Sequence, residues 1–369
     1  MHIVHVIARL NDGGPARVLA ALARTMIARG HRVTVLAGSC APDEPDLSDE
    51  VRASGAALEH VPGFGRRLRP TGDCSAVLFL LKRLPQLAPD VVHTHTAKAG
   101  VLGRLVCRAR GLRCLHTYHG HVLHGYFSAA GDVIVRTVER LSAGPFHHQA
   151  LTPSQARDLR DRARIGRPSR WTVLPVPVQP VAPLPAAWHS ELDPTIPVMG
   201  FLGRLAPVKD GALFLAVLAE LSKRMRLQGV VCGDGQERGQ LEAQARASGV
   251  TVRFTGFIPA GEALAAMDVL VLTSRNEGLP LAAFEAASAG VAVVAPPVGG
   301  LADMIRWRAA LGARRNAPAL ADAVHRVLTD TRLRRRLVAR AKQVQEGVTP
   351  EALAPRYERL YRSIVEGHR

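Results

Sequence analysis

Two glutamates eight positions apart could divide the recognition of one ligand between them. They belong to R-N-E-G-L-P-L-A-A-F-E at 275–285, in which Glu277 occupies a predicted loop after a strand and a proline suits the first turn of a helix. At 1.5 Å per residue, Glu285 lies about 10 Å farther along that helix. One carboxylate could bind a sugar hydroxyl and the other a ribose diol. Between them, the backbone N–H groups of Gly278 and Leu279 could hold a diphosphate.

In isolation this spacing is more typical of a glutamate that pairs with an arginine on a solvated helix face. Its weight depends on a second motif, G-R-L-A-P-V-K at 203–209, in which Arg204 and Lys209 follow another predicted strand. Two cations there could neutralise the charge that develops on a departing diphosphate. Metal-dependent sugar transferases use an Asp-x-Asp triplet for that purpose, and the sequence contains none. We therefore expect no metal ion and no other cofactor, although the pair alone also fits a surface loop.

A glycine pair follows the first predicted strand, in N-D-G-G-P-A-R at 11–17. Gly13 and Gly14 would allow the backbone to approach a ligand closely, and Pro15 would begin the next helix. The motif is not the G-x-G-x-x-G dinucleotide fingerprint, and such a pair is more often a tight turn.

Histidines are concentrated near the ends of two adjacent predicted strands, at positions 93, 95, 119, 121 and 124. His-x-His at a strand end is also a metal-ligand arrangement, so a metal hydrolase is a competing interpretation. No nearby carboxylate completes a ligand set, and most of these histidines are expected to be hydrogen-bonded loop residues. His119 is the exception, predicted to contact the transferred sugar.

Short Val- and Ile-rich runs alternate with helical patterns along both halves of the chain. The alternation predicts parallel sheets with right-handed crossovers. Predicted strands cover 2–8, 32–38, 91–95 and 114–119, and then 197–203, 228–235, 252–257, 269–274 and 291–297.

Seven prolines between positions 175 and 197 interrupt the alternation and predict a stiff linker. The predicted fold is therefore α/β, with two Rossmann-like, doubly wound parallel-sheet domains facing each other across a cleft. The expected boundaries are an N-terminal domain at 1–178, a linker at 179–196 and a C-terminal domain at 197–350.

Composition sets further limits. The 369 residues carry a formal net charge of +17, which suggests anionic partners, although only five of the 48 basic residues are lysines and a general arginine bias would have the same effect. Aromatic residues are 4%, too few for nucleic-acid stacking platforms. The absence of a signal peptide, a C-x-x-C pair and a membrane-length apolar run leads us to expect a soluble, cytoplasmic protein.

Peripheral contact with the inner face of an anionic membrane is a further expectation. Arg66, Arg67 and Arg69 precede the apolar helix C-S-A-V-L-F-L-L-K-R-L at 74–84. A basic loop beside an apolar helix could rest on acidic lipid, although such a helix more often packs on its sheet.

The motifs as a set resemble those of the retaining family 4 glycosyltransferases, which have the GT-B fold. The resemblance covers nearly the whole chain and includes H-T-H-T-A-K-A-G at 93–100 and H-T-Y-H-G-H at 116–121. It implies transfer of a sugar, without a metal, from a nucleotide-sugar to a glycan or lipid-linked acceptor in polysaccharide or glycoconjugate assembly. A UDP-linked hexose or N-acetylhexosamine is the first expectation for the donor, and GDP-mannose the second.

The resemblance also implies that the domain at 1–178 is the acceptor side, that the domain at 197–350 binds the nucleotide-sugar, and that a closing helix at 351–369 packs back onto the first domain. It further implies roles for matching residues of the second domain. Arg204 and Lys209 would bind the diphosphate, Glu285 the ribose and Glu277 the donor sugar. The backbone around two further residues would hold the base, namely Phe257 and Ile258.

In the first domain, Gly14 would approach the phosphates and His119 would contact the sugar near its reacting carbon. With His119, the catalytic residues would be Glu277, Arg204 and Lys209. Four more residues are expected on the acceptor side: His93, Lys98, Tyr118 and His121.

Two segments depart from the family pattern. The hinge reads L-P-V-P-V-Q-P at 174–180 where P-N-G-[IV]-D is usual, and a short R-A-A-L-G-A-R-R-N at 308–316 replaces the customary G-L-L-V-P loop. Three alternatives therefore stay open: a nucleotide-sugar epimerase or hydrolase of the same architecture, a non-catalytic nucleotide-sugar-binding protein, and a nucleic-acid binder.

Overall fold

A computed structural model describes residues 1–11, 13–41, 44–65, 68–120 and 129–367. The chain divides into two compact units. The N-terminal unit comprises Met1–Pro177 with Val348–Arg369, and the C-terminal unit comprises Val178–Gly347. Each unit is built on one parallel sheet, which confirms the predicted fold class.

The N-terminal unit has a seven-stranded sheet in the order β3-β2-β1-β4-β5-β6-β7. Its strands are β1 His2–Ile7, β2 Arg32–Ala37, β3 Ala57–His60, β4 Val91–His95, β5 Cys114–Thr117, β6 His147–Ala150 and β7 Trp171–Val173. Its helices are α1 Gly14–Ala28, α2 Ser48–Ala53, α3 Pro70–Leu87, α4 Ala97–Arg110, α5 Ala129–Ala143 and the short α6 Pro153–Ala156, which continues as a π turn at Arg157–Arg162.

The C-terminal unit has a six-stranded sheet in the order β10-β9-β8-β11-β12-β13. Its strands are β8 Val198–Leu202, β9 Gln228–Cys232, β10 Val252–Gly256, β11 Val269–Val271, β12 Ala292–Ala295 and β13 Leu311–Gly312. Its helices are α7 Gly211–Ser222, α8 Arg238–Ser248, α9 Ala260–Ala265, α10 Leu281–Ala289, α11 Gly300–Arg306, α12 Ala317–Thr329 and α13 Thr331–Glu346.

Burial on both faces explains why the central strands lack the regular alternation of apolar and polar residues that a sheet with one solvated face shows. Every residue of β1 and β4 is buried, as is every residue of β9 and β12. Helices on both sides of each sheet cover them, so each unit has its own core.

The strand order reverses at one central strand in each unit. In the N-terminal unit β1 lies between β2 and β4, and in the C-terminal unit β8 lies between β9 and β11. Chain connections leave such a strand in opposite directions, which opens a crevice at its carboxyl end. The loops after β1 and β8 carry the glycine pair and the Arg204–Lys209 motif.

The proline-rich segment packs on the C-terminal unit and does not stand apart from it. It contains a 3-10 turn at Ala187–Glu191. Leu184 N–H donates to Gly261 O at 3.1 Å, and the His189 ring contacts Glu262 O at 2.9 Å, so the segment is fastened to α9.

The last helix, α14 Pro350–Glu366, packs on α1 and β4 of the N-terminal unit. Tyr357 and Tyr361 are fully buried there. Gln149 donates to the Tyr357 hydroxyl at 2.6 Å, and Tyr357 donates to Pro175 O at 3.2 Å. At the helix surface, Arg29 Nε donates to Glu358 at 2.8 Å.

The predicted lipid-contacting helix is α3. It buries Ala76, Leu80 and Leu84 against the unit, as the alternative interpretation held, while Leu78 remains 68% exposed. Arg66 and Arg67 lie outside the described residues. No helix in the described part of the chain is both long and apolar enough to cross a membrane.

Candidate functional site

Two loops of the C-terminal unit are fastened together at the carboxyl ends of β8 and β11. Arg275 N–H donates to Val208 O at 2.8 Å. The Thr273 hydroxyl lies 3.0 Å from Lys209 O and 2.9 Å from Asp210 O. These bonds place the loop that carries the two predicted cations against the loop that carries Glu277.

Glu277 is 9% exposed and connects the two loops through its side chain. Its Oε1 accepts from Lys209 Nζ at 2.6 Å and from the Ser274 hydroxyl at 2.6 Å. Among the described residues no donor contacts Oε2. One oxygen therefore positions Lys209 while the other remains available to a ligand hydroxyl.

Arg204 is exposed in the same loop, and none of the described side chains forms an ion pair with it. Two nearby arginines, Arg275 and Arg315, differ from Arg204 because each contacts the carboxylate of Asp210. Its Oδ2 contacts Arg315 and lies 3.4 Å from Arg275 Nε. Asp210 also caps α7, where its Oδ1 accepts from Leu213 N–H at 3.3 Å. Arg204 is thus available to an anionic ligand beside a lysine that a carboxylate holds in place.

Two glycine turns that we did not predict as part of the site pack against these loops. Gly300 N–H donates to Glu277 O at 2.9 Å, and a Cβ placed on Gly300 would lie 2.0 Å from Gly278 O. Near β9, a Cβ on Gly233 would lie 2.0 Å from Gly203 O. Only glycine permits such approaches. The available signals were a glycine within the predicted strand at 228–235 and a glycine pair shortly after the predicted strand at 291–297.

The other predicted donor-binding residues of the C-terminal unit lie on α10, on the segment before it and after β10. Glu285 lies partly exposed in the middle of α10, while Gly278 and Leu279 precede the helix and are buried. Phe257 and Ile258 follow β10, two strands from β8, and the Phe257 ring is 60% exposed. An open aromatic side chain at that edge could lie against a base.

In the N-terminal unit, Gly13 is the N-cap of α1 and Gly14 is its first residue. Gly13 O accepts from Ala16 N–H at 3.1 Å and from Arg17 N–H at 3.2 Å. The pair therefore forms the start of the first helix after β1, as its position in the sequence predicted.

Three histidine rings form a hydrogen-bonded chain that begins in the core and ends at the partly exposed His119. His5 Nδ1 lies 2.8 Å from His95 Nε2, and His95 Nδ1 lies 2.8 Å from His119 Nε2. Burial lowers the pKa of His5 and of His119 to about 3 and that of His95 well below its usual value. All three rings are therefore neutral near pH 7.

The direction of this chain follows from its buried end. His5 Nε2 is buried without a partner in the described part of the structure. If the protons pointed toward His5, that atom would be an unpaired N–H, which native structures rarely bury. We therefore expect each ring to donate toward His119, which then accepts at Nε2 and carries its own proton on Nδ1.

His93 has a different set of partners. The Thr117 hydroxyl donates to Gln149 at 2.7 Å, so it accepts from His93 Nε2–H at 2.6 Å. His93 Nδ1 then accepts from the Tyr361 hydroxyl at 2.8 Å. The ring joins β4 and β5 to the last helix.

These contacts correct part of the acceptor-side prediction. His93 and His95 are buried strand residues and not loop residues. Tyr118 is also buried, with its hydroxyl 3.1 Å from Glu139 and 3.1 Å from Arg104, so neither His93 nor Tyr118 can contact an acceptor. The reason is that β4, which carries His93, is buried on both faces, and that Tyr118 packs inside the unit directly after β5.

Lys98 is 10% exposed and is bound to Asp73 and, at 3.3 Å, to Gly65 O. Its role on the acceptor side stays a prediction. His121 and His124 lie outside the described residues.

The histidines are also the place to test a metal site. Ligand atoms of His5, His93 and His95 lie within 4.8 Å of one another. Five of the six ring nitrogens already have hydrogen-bond partners, and the remaining one is His5 Nε2. No carboxylate belongs to this group in the described structure. The donor set does not fit a metal without loss of the hydrogen bonds that hold the sheet to α14.

Comparison with protein families gives two matches. The model described as "Glycosyltransferase Family 4" matches residues 12–180. The model described as "Glycosyl transferases group 1" matches residues 187–344.

Two curated proteins illustrate the similarity in sequence. A GDP-mannose-dependent alpha-mannosyltransferase of Mycobacterium tuberculosis is 30% identical over 309 residues, which are 78% of this chain and 75% of that protein. The UDP-Gal:alpha-D-GlcNAc-diphosphoundecaprenol alpha-1,3-galactosyltransferase of Escherichia coli is 26% identical over 271 residues, 69% of this chain and 68% of that protein.

Two solved structures share the fold. Sucrose-phosphate synthase from Thermosynechococcus elongatus aligns with a TM-score of 0.84 and 20% identity over 100% of both chains. Anabaena HepE in complex with UDP-glucose aligns with a TM-score of 0.82 and 18% identity, covering 98% of this chain and 100% of that one.

Proposed function

Because the chain belongs to the family 4 glycosyltransferases, we propose that it transfers a sugar from a UDP-sugar with retention of configuration and without a metal ion. It is a glycosyltransferase with a nucleotide-sugar donor. The proposed acceptor is a glycan or a lipid-linked sugar. Support for this acceptor comes from the E. coli relative, whose name specifies a UDP-sugar donor and a diphosphoundecaprenol-linked acceptor.

The observation that carries the proposal is the contact between Lys209 and Glu277 beside an exposed Arg204. In the proposed complex Arg204 and the remaining N–H groups of Lys209 bind the donor diphosphate. Oε2 of Glu277 accepts from a hydroxyl of the sugar, and Glu285 binds the ribose. The Phe257–Ile258 backbone holds the base.

The proposed reaction needs no separate protein base. The bond between C1 of the sugar and the diphosphate oxygen breaks while the acceptor oxygen bonds to C1 on the same face. The acceptor proton passes to the departing phosphate oxygen. Arg204 and Lys209 stabilise the negative charge that develops on the diphosphate, and positioning supplies much of the remaining rate enhancement.

Metal independence rests on the same two cations. A divalent ion on a donor diphosphate would neutralise the developing charge, and the fixed ammonium of Lys209 and the guanidinium of Arg204 provide equivalent charge. We propose that they take its place, and that His119 contacts the transferred sugar through its Nδ1–H.

Transfer assays with purified protein and a panel of UDP-, GDP- and ADP-sugars test this proposal. Arg204→Ala and Lys209→Ala should each reduce turnover by about 100-fold or more. Arg246→Ala and Lys223→Ala are matched controls, because Arg246 is exposed on α8 and Lys223 pairs with Glu220 on the surface. Near-normal transfer by both site variants would overturn the proposal, as would loss of transfer in a chelator.

The alternatives give different results in the same assays. An epimerase or hydrolase would convert the donor rapidly without any acceptor. A non-catalytic binding protein would bind the donor tightly and transfer nothing. A nucleic-acid binder would show salt-dependent DNA or RNA binding that UDP does not compete for.

A further inference from the structure

One helix of the N-terminal unit turns an apolar face to the solvent. On α5, Val133, Ile134, Val138 and Leu141 are 60%, 64%, 40% and 70% exposed. At 3.6 residues per turn they cover an arc of about 140° on one side of the helix. Glu139, on the other side, is buried. Single exposed apolar residues are ordinary, but a contiguous stripe indicates an interaction surface.

A basic groove borders this stripe. Its volume is about 630 Å³, four of its eight lining residues are arginines, and no carboxylate residue is among them. Leu141 belongs to both the stripe and the groove. The arginines are Arg108, Arg140, Arg164 and Arg167.

The groove arginines are available to an external anion. All four are exposed, and none forms an ion pair with a carboxylate in the described parts of the chain. Arg140 Nε donates to Ala163 O at 2.6 Å, which fixes that side chain at the edge of the groove. On α4, Leu105 is 46% exposed and lies one turn before Arg108, so this helix repeats the apolar-beside-basic arrangement.

We propose that the stripe and the groove together, the α5 surface, dock this protein on an anionic phospholipid membrane. The aliphatic side chains enter the boundary between headgroups and acyl chains, and the four arginines bind lipid phosphates. A membrane offers both an apolar layer and negative charge, which this surface complements. The proposal extends the proposed function, since it places the enzyme where a lipid-linked acceptor would be.

Charge disfavours the other occupants of this surface. In a two-fold symmetric dimer the same patch faces itself, so two four-arginine grooves would meet. A nucleic acid would satisfy the arginines but not four exposed aliphatic side chains.

Vesicle flotation of the full chain tests the α5 surface without donor or acceptor, so its outcome is independent of the transfer assays. The vesicles contain phosphatidylglycerol with phosphatidylcholine, or phosphatidylcholine alone. We expect salt-sensitive binding to the first and at least 10-fold weaker binding to the second. Ile134→Glu with Leu141→Glu, and separately Arg108→Glu with Arg167→Glu, should each reduce binding at least 10-fold.

Two control variants, on other helices, test whether the loss of any exposed leucine or of any two exposed arginines would reduce vesicle binding in the same way. Leu78→Glu changes an equally exposed leucine on α3, and Arg335→Glu with Arg336→Glu makes the same charge change on α13. Both should retain binding within about 2-fold. Thermal unfolding checks that each variant is folded. If the variant with Ile134→Glu and Leu141→Glu is unfolded, the variant with Arg108→Glu and Arg167→Glu provides the test.

The proposal is overturned if the wild-type chain ignores anionic vesicles, or if both α5-surface pairs bind them normally. It is also overturned if the α3 or α13 control loses binding to the same degree. Light scattering gives the remaining outcome: a wild-type dimer that Ile134→Glu dissociates, without vesicle binding, would assign the surface to a second copy of the chain.

Discussion

Glu277 combines two tasks in one carboxylate. Its Oε1 accepts two hydrogen bonds, from Lys209 and Ser274, and thereby fixes the lysine. The proposed complex assigns its Oε2 to a sugar hydroxyl. Removal of the negative charge should therefore affect both the cation and the proposed sugar contact.

Glu277→Gln preserves the shape of the side chain but removes that charge. We expect turnover to fall about 100-fold or more, because Lys209 loses its anionic partner and the sugar hydroxyl loses a charged acceptor. Glu220→Gln, in the exposed pair with Lys223, is the matched control and should change turnover less than 2-fold. Equal turnover in the two variants would contradict this role of Glu277.

The His5–His95–His119 chain makes a spectroscopic prediction. Nitrogen-15 NMR of labelled protein at pH 7 should show His119 as a neutral ring with its proton on Nδ1 and an unprotonated Nε2. His5→Phe removes the first donor and should allow the other tautomer to appear. A wild-type signal with protonated Nε2 would reverse the direction of the chain.

At this scale the sequence predicted which loops lie together better than which atoms meet. Arg204, Lys209 and Glu277 were expected together because their strands end at the same edge of a sheet. The Lys209–Glu277 ion pair was not, because it depends on the path of two loops. His5 was missed because its contact with His95 requires β1 and β4 to be neighbours.

Among the structural elements, the glycine at the start of α11 supports the loop that presents Glu277. Gly300→Ala would put a methyl group 2.0 Å from Gly278 O, so the backbone of that loop must move. We expect a loss of about 1–3 kcal/mol in the free energy of unfolding, measured in urea, with a parallel loss of turnover. Gly239→Ala on α8, where a Cβ meets no atom within 4 Å, should cause neither. A fully active and stable Gly300→Ala variant would refute this requirement.

Four of the described strands were not predicted, namely β3, β6, β7 and β13, and each has only two to four residues. β6 reads H-H-Q-A, and the histidines there gave no strand pattern, yet pairing with β5 and β7 makes it part of the sheet. β3 is a short strand at one edge of the seven-stranded sheet, and β13 is a short strand at one edge of the six-stranded sheet. Tertiary pairing, and not local propensity, decides such strands.

For the whole molecule, histidines that are buried or partly buried predict loss of stability in mild acid. Burial lowers the pKa of three of them to about 3 and of three others well below the usual value: His5, His119 and His148, and then His93, His95 and His116. Below about pH 6.5 the unfolded chain binds protons that the folded chain does not, so the free energy of unfolding falls as pH falls.

Urea unfolding at pH 7.5 and 5.5 measures this effect. Each such histidine contributes a slope of about 1.4 kcal/mol per pH unit where only the unfolded state is protonated. His148 stacks on Trp171 with ring centroids 5.0 Å apart, so His148→Phe should preserve packing. The same substitution should reduce the change in free energy of unfolding per pH unit by the contribution of one histidine. Equal stability of the wild-type protein at both pH values would contradict the buried, neutral state of these rings.

Titration calorimetry of UDP binding in EDTA addresses the central claim, that side-chain cations of the C-terminal unit hold the donor diphosphate without a metal ion. We predict that wild-type protein and Arg246→Ala bind UDP equally well with or without the chelator, and that Arg204→Ala binds it at least 10-fold more weakly. Binding that requires added magnesium, or that Arg204→Ala leaves unchanged, would contradict the claim.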